Sequence, residues 1–261
     1  MARASRIITF PALGLYLFLS ACGAWADTAV LIPSEKNLRV AHAGGGINGI
    51  AGTNSLEALD ENHRRGFRFF ELDFEWTADG HLVAIHEWEG AHRKNFIAPP
   101  PQVPTLKEFM EQGMNNDWTQ LTLDRLNRWL DHHPDAFIIT DIKSRNIAGL
   151  GKIRASDERN VKRFIPQIYS PDEFEPARAL GFEKIILTLY RTRMRDDKVL
   201  QFCRKHKPFA VTLWAERALR SELPRNLSNT GTRVFAHTVN DTDLWEELKK
   251  RGVSGIYTDF L

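Results

Sequence analysis

Phe67-Arg-Phe-Phe-Glu-Leu-Asp-Phe74 is the stretch on which the fold turns. Aromatic residues crowd it and nothing in it breaks a strand, so it reads as buried β-structure. Within it, Glu71 and Asp73 stand two apart and share one face, with Leu72 on the other. Ala78-Asp79-Gly80 follows as a tight-turn signal, and His81 to His86 returns as a further strand. A parallel crossover needs a dozen or more residues, so the returning segment must pair antiparallel. It is expected to fold back over the mouth of the sheet to which residues 67–74 belong.

The flanking sequence supplies the rest of that sheet. Upstream, Leu38-Arg-Val-Ala-His42 reads as a strand closed by Gly44-Gly45-Gly46. Asn54 to Arg65 is expected to be a helix, with Asn54 or Ser55 as N-cap and Gly66 as its stop. Downstream, Pro99-Pro100-Pro101 marks a loop, and Leu106 to Gln112 and Leu121 to His132 read as helices. Strand candidates then recur at Ala136 to Ile142, Phe164 to Tyr169, Lys184 to Leu189, Phe209 to Trp214, Arg233 to Val239 and Val253 to Thr258. Helical stretches such as Asp172 to Leu180, Asp196 to His206 and Asp243 to Arg251 separate most of them. This alternation argues for a parallel α/β fold. With the segment 81–86 set aside as the surplus, the strands fit an α/β, (β/α)₈ TIM barrel with one extra fold-back strand near residues 81–86. A doubly wound open sheet is the alternative, but neither a Gly-rich dinucleotide loop nor a P-loop accompanies it. There is no internal repeat and no linker long enough to divide residues 27–261 into two domains.

In such a barrel, chemistry gathers at the C-terminal ends of the strands. Glu71 and Asp73 end the second strand. Asp141-Ile142-Lys143 ends another in the same way, with an acid and an amine on one face. His42 ends the first strand and His86 the fold-back strand. Three converging carboxylates repel unless neutralised, and one Mg²⁺ or Ca²⁺ ion does that through oxygen ligands. Zn²⁺ would rather recruit the histidines. Each residue has a plainer reading alone: a solvated strand edge for Glu71 and Asp73, a structural His, a surface Lys. Their joint placement at the strand ends of one barrel points to a metal bound by Glu71, Asp73 and Asp141, with His42, His86 and Lys143 as catalytic candidates.

The chain resembles the glycerophosphodiester phosphodiesterase family, within the phosphatidylinositol-phospholipase-C-like barrels. The stretches that carry the resemblance include Val40-Ala-His-Ala-Gly44, Asn54-Ser-Leu-Glu-Ala58, Phe70-Glu-Leu-Asp73, Leu82-Val-Ala-Ile-His86, Thr140-Asp-Ile-Lys143, His237-Thr-Val-Asn-Asp241 and Gly255-Ile-Tyr-Thr-Asp259. The resemblance implies a metal-dependent hydrolase of glycerophosphodiesters or related lipid-derived diesters. His42 and His86 would be the acid/base pair, Glu71, Asp73 and Asp141 the metal ligands, and Lys143 a phosphate contact. Imidazole suits both proton transfers because its pKa lies near neutrality. Departures are visible too. The family's His-Arg-Gly is His42-Ala43-Gly44 here, and its Pro-Glu-Asn-Thr is Gly52-Thr53-Asn54-Ser55. Its third acidic ligand is usually Glu, not Asp. Asp-x-Lys at this place is similar to the sphingomyelinase D branch, so a phospholipase or lyase acting on intact lipids is a rival reading. An anchored barrel that binds a phosphorylated ligand without turnover is another. Arg93 and Lys94 are candidates to restore the missing positive charge. Trp76 and Trp88 could form an apolar lip, Trp214 a pocket wall, and His237 and Asn240 substrate contacts. Asp259 could orient a site histidine.

Residues 1–26 read as an export signal, with Arg3 and Arg6 before an apolar run from Ile7 to Leu19. Ala24-Trp25-Ala26 offers one cleavage site, while Leu19-Ser20-Ala21-Cys22 resembles a bacterial lipobox that would lipidate Cys22 and attach the protein to a membrane. The expected location is the bacterial periplasm, free or as an anchored lipoprotein. Without residues 1–26 the chain keeps 33 basic and 33 acidic side chains. That balance excludes a general nucleic-acid surface. The expected ligand is a small-molecule or lipid phosphodiester, and no protein partner is implied. Arg191, Arg193 and Arg195 read as solvated charges. With Cys22 lipidated or removed, Cys203 stands alone and reads as a buried thiol.

Overall fold

The computed structural model describes residues 38–261. The proposed signal and lipobox therefore lie outside the described residues. Nine strands form one sheet: β1 Leu38–Ala41, β2 Phe69–Trp76, β3 Leu82–Ala84, β4 Phe137–Ile142, β5 Phe164–Ile168, β6 Ile186–Thr188, β7 Ala210–Trp214, β8 Arg233–His237 and β9 Gly255–Thr258. All pairings are parallel except β2 with β3. β1 pairs with both β9 and β2, which closes eight strands into a ring. β3 hangs outside the ring, antiparallel on the upper half of β2, with Phe74 opposite Ala84. The expected barrel and fold-back strand are both present. The fold-back strand is shorter than the segment 81–86, so His86 lies two residues past its end.

Period-two alternation makes two cores. Leu38, Val40, Phe69, Phe137, Ile139, Ile165, Ile186, Ala210, Phe235 and Tyr257 fill the lumen. The opposite faces, with Phe70, Leu72, Phe74, Ile138 and Ile142, pack on the surrounding helices through residues such as Leu59, Leu126 and Leu150. A third, smaller core of Val83, Ile85, Phe96, Phe109, Met114 and Trp118 belongs to the insertion between β2 and β4. The insertion includes a short helix, Gly90–Asn95, that lacks a marked sequence signal. Ser55, not Asn54, caps the first helix, Leu56–Arg64, by accepting the amide of Ala58. Asn54 instead adopts a left-handed conformation (φ 50°) that turns its side chain to other use. Cys203 is buried, as expected, and burial pushes its thiol up to about 12.

Gly255 shows how tight the ring closure is. A Cβ there would lie 2.8 Å from the Phe235 ring and 2.9 Å from the Leu38 carbonyl oxygen, on the two strands that flank β9. Both neighbours are immobile, one in the packed lumen and the other in backbone. Gly255→Ala should therefore lower stability by about 1–3 kcal/mol through overpacking, read from the midpoint of denaturant unfolding.

Candidate active site

The lumen changes character along its axis. Each strand that contributes an apolar plug contributes a polar side chain two residues later. Val40 is followed by His42, Phe69 by Glu71 and Asp73, Ile139 by Asp141, Ile165 by Gln167, Ala210 by Thr212, Phe235 by His237 and Tyr257 by Asp259. Apolar residues thus seal the N-terminal half and polar ones crowd the C-terminal mouth. There a cavity of about 230 Å³ is lined by His42, Glu71, Asp73, His86, Asp141 and Lys143, among others. All six predicted residues meet in one place.

Glu71, Asp73 and Asp141 are buried, and one oxygen of each lies within 4.8 Å of the others. The β2–β4 register sets Asp73 directly beside Asp141. Every carboxylate has a backbone or side-chain donor. The Ala43 amide donates to Glu71 Oε2 at 2.9 Å. Asn54 grips Asp73 twice, donating Nδ2–H to Oδ2 and accepting the Asp73 amide, each at 3.0 Å. Tyr169 and Tyr190 each donate a hydroxyl to Asp141. Lys143 Nζ bridges Asp73 Oδ1 at 2.7 Å and Asp141 Oδ2 at 2.8 Å.

These contacts set the charge states. Burial, with the charge of Asp73 beside it, pushes Glu71 up to about 8. Burial pushes Asp73 the same way, but Lys143, His86 and the Asn54 bond together outweigh it and the carboxyl stays below its ordinary value. The same two aspartates raise the Lys143 ammonium against the effect of burial. Burial and the Asp141 charge hold Tyr169 and Tyr190 well above the usual range, so both remain hydroxyl donors. The group stays short of positive charge: the Lys143 ammonium and the His42 imidazolium face three acids, and Glu71 is held above its ordinary value. An all-oxygen donor set of this kind fits a hard divalent cation such as Mg²⁺ or Ca²⁺, with Glu71, Asp73 and Asp141 as its protein ligands.

The two histidines differ. His42 Nδ1–H donates to Asp259 Oδ1 at 2.9 Å. Asn240 holds Asp259 in turn, donating to Oδ2 and accepting the Asp259 amide, both at 2.7 Å. This relay leaves His42 Nε2 for the cavity. Burial disfavours the imidazolium, but the Asp259 bond and the charges of Glu71 and Asp73 overcome it and lift His42 to about 9. His86 is exposed at the rim, brought there by the Ile85 amide bonding the Asp73 carbonyl at 3.1 Å.

Several peripheral expectations change. Arg93 and Lys94 do not line the cavity, and the Lys94 ammonium bonds the Ala51 carbonyl at 3.3 Å. Neither therefore stands in for the absent phosphate-binding arginine at the cavity wall, although the Lys94 charge still acts on Asp259. Trp76 is not a lip: it is buried beneath Arg145, whose guanidinium lies 3.9 Å from its ring centre. Trp214 does line the mouth and is 51% exposed. Arg191 is not merely solvated. It crosses the Tyr169 ring at 4.6 Å, bonds the Lys143 carbonyl at 3.1 Å and lines a hollow beside His86. Tyr169, Tyr190 and the Asn54 clamp were not foreseen as site residues; the one signal was the strand-end position of Tyr169.

Asp259→Asn removes the charge that raises His42 and leaves one amide oxygen to serve two donors, His42 and Asn240. The His42 pKa should therefore fall from about 9 toward its ordinary 6.5 in the metal-free protein. An NMR titration of the imidazole checks this; an unmoved midpoint would contradict the relay.

No family model matches the sequence, and no curated protein does either. Solved structures do match in fold. A glycerophosphodiester phosphodiesterase from Parabacteroides distasonis superposes with a TM-score of 0.70 at 19% identity, covering 86% of this chain and 93% of its own. The one from Thermotoga maritima gives 0.67 at 20% identity, over 85% and 94%. An Oleispira antarctica phosphodiesterase, solved with its product sn-glycerol-3-phosphate, gives 0.68 at 14% identity, over 86% and 94%. Over nearly the whole of its described length, this chain has the barrel fold of the solved glycerophosphodiester phosphodiesterases.

Proposed function

We propose that the protein is a metal-dependent phosphodiesterase that hydrolyses glycerophosphodiesters or close relatives. The observation that carries this reading is the meeting of three buried carboxylates, Lys143 and two histidines in one cavity. The shared barrel, and a neighbour holding sn-glycerol-3-phosphate, support the same substrate class. A cavity of about 230 Å³ suits a phosphoryl group with a small polyol.

Glu71, Asp73 and Asp141 hold the ion, which when bound supplies Lewis-acid polarisation of phosphoryl oxygens. Lys143 adds positive charge where the pentavalent state gathers its negative charge. His42, oriented by Asp259, gives its Nε2 proton to the leaving oxygen. His86, exposed at the rim, takes the proton from the attacking water. A residue that binds without turnover needs neither proton transfer, so the oriented His42 favours an enzyme over a binding protein. The Leu19-Ser20-Ala21-Cys22 motif supports export and a lipid anchor, and mass analysis of the mature N-terminus tests that placement.

Two outcomes follow. With Mg²⁺ or Ca²⁺, the protein should release sn-glycerol-3-phosphate and a free alcohol from a glycerophosphodiester, followed by phosphorus NMR and mass. His42→Ala should lower kcat by about 10²–10⁴-fold, and chelation should abolish turnover; a variant within about tenfold of the parent, or turnover that persists after chelation, contradicts the mechanism. Metal binding should also release a proton, because the Glu71 carboxyl must ionise to bind. Since its pKa is about 8 without the ion, affinity should rise with pH up to about 8 and flatten above it. Calorimetry in two buffers of different ionisation enthalpy measures the released proton.

A further inference from the structure

Most polar side chains that line the cavity are already partnered. The Thr188 hydroxyl beneath it donates to Gln167 Oε1, Thr212 donates to the Tyr257 hydroxyl at 3.3 Å, and Tyr190 donates to Asp141. His237 differs. Its Nε2 is buried and has no hydrogen-bond partner, and among the described residues it is the one such atom on a side chain lining this cavity. The ring is nevertheless fixed. It stacks on Trp214 (centroids 4.2 Å apart, planes at 29°) and meets the edge of Tyr190 at 5.0 Å. The β7–β8 register places Trp214 and His237 side by side, so the stack is built into the sheet.

Burial, with the charge of His42 nearby, pushes His237 down to about 4, so the imidazole is neutral at physiological pH. A neutral ring carries one N–H and one lone pair. On Nε2 the proton would be a buried donor with no acceptor, which forfeits its full hydration. On Nδ1, which is not buried in this way, it meets the cavity. A proton on the accessible Nδ1 keeps its hydration or meets a ligand, so the packing favours the Nδ1–H form.

We propose that His237 is a substrate-contacting residue, a neutral imidazole locked with its proton on Nδ1 that donates to a phosphoryl oxygen of the bound diester. This rests on the phosphodiesterase reading for the identity of the ligand. A phosphoryl oxygen is an acceptor only, and it matches a group that offers the cavity a donor only. An uncharged donor also adds a bond without repelling the protonated His42 and Lys143 that share the cavity.

The test uses the full chain with Mg²⁺ present and inorganic phosphate as the probe. Long-range ¹H–¹⁵N spectra should place the His237 proton on Nδ1 and move that resonance downfield when phosphate is added. His237→Phe keeps a ring against Trp214 but no donor. It should weaken phosphate binding by about tenfold or more, the worth of one hydrogen bond to a charged acceptor. His237→Asn, whose amide nitrogen stands where Nδ1 does, should recover most of the loss. In turnover, KM should carry the change while kcat falls less. An Nε2–H spectrum, a Phe variant within twofold of the parent, an Asn variant no better than Phe, or no phosphate binding by the parent would each overturn the proposal. His42→Ala should lower kcat by about 10²–10⁴-fold and leave the His237 proton on Nδ1, so failure of the catalytic reading is distinguishable from failure of this one.

Discussion

Three carboxylates share one buried pocket with a single ammonium group, and the site is organised around that imbalance. Lys143 bridges Asp73 and Asp141, while Glu71 is left with burial and a like charge beside it. Removing one partner from a buried ionic cluster of this type costs about 3–5 kcal/mol. A fold that builds such a cluster keeps it through fixed donors, and each acid here has one: the Ala43 amide, the Asn54 amide group, and the hydroxyls of Tyr169 and Tyr190. Those donors hold the carboxylates in place, but they do not neutralise them. A divalent ion does both.

The barrel explains why the cluster can exist at all. Its lower lumen is packed with aromatic and branched side chains, which keeps water from reaching the acids from below. The alternation that places those plugs also places the polar groups, two residues further along each strand. The insertion with its own small core carries β3 and sets His86 at the rim. His42 is held on the other side by Asp259 and Asn240, whose mutual bonds tie the end of β9 to the loop after β8. The two histidines thus come from separately supported elements, one oriented by Asp259 and one exposed, and both line the same cavity.

Much of this was legible in the chain. Residues 67–74 declared a strand with two acids on one face, and the turn at Asp79-Gly80 was too short for anything but an antiparallel return. Strand ends then located all six site residues, because position on a barrel strand translates directly into position in the barrel. What stayed hidden depends on contacts between distant segments. Tyr169 and Tyr190 look like ordinary β-formers, and only the closing of the ring brings their hydroxyls to Asp141. Asn54 looked like a helix cap, but its left-handed backbone leaves that task to Ser55 and frees its amide for Asp73. Arg93 and Lys94 stand near His86 in sequence, but both fall in a short helix outside the cavity lining, and Lys94 bonds the Ala51 carbonyl instead.

The central claim is that Glu71, Asp73 and Asp141 form a cation site in which Lys143 stands as partial countercharge. A crystal structure of the protein with Mn²⁺, whose anomalous scattering marks the ion, tests it most directly. The account predicts one strong anomalous peak within ligand distance of all three carboxylates, and a Lys143 ammonium displaced from at least one of its two aspartates. A fully ordered pocket with no peak there, and Lys143 still bridging Asp73 and Asp141, would contradict it.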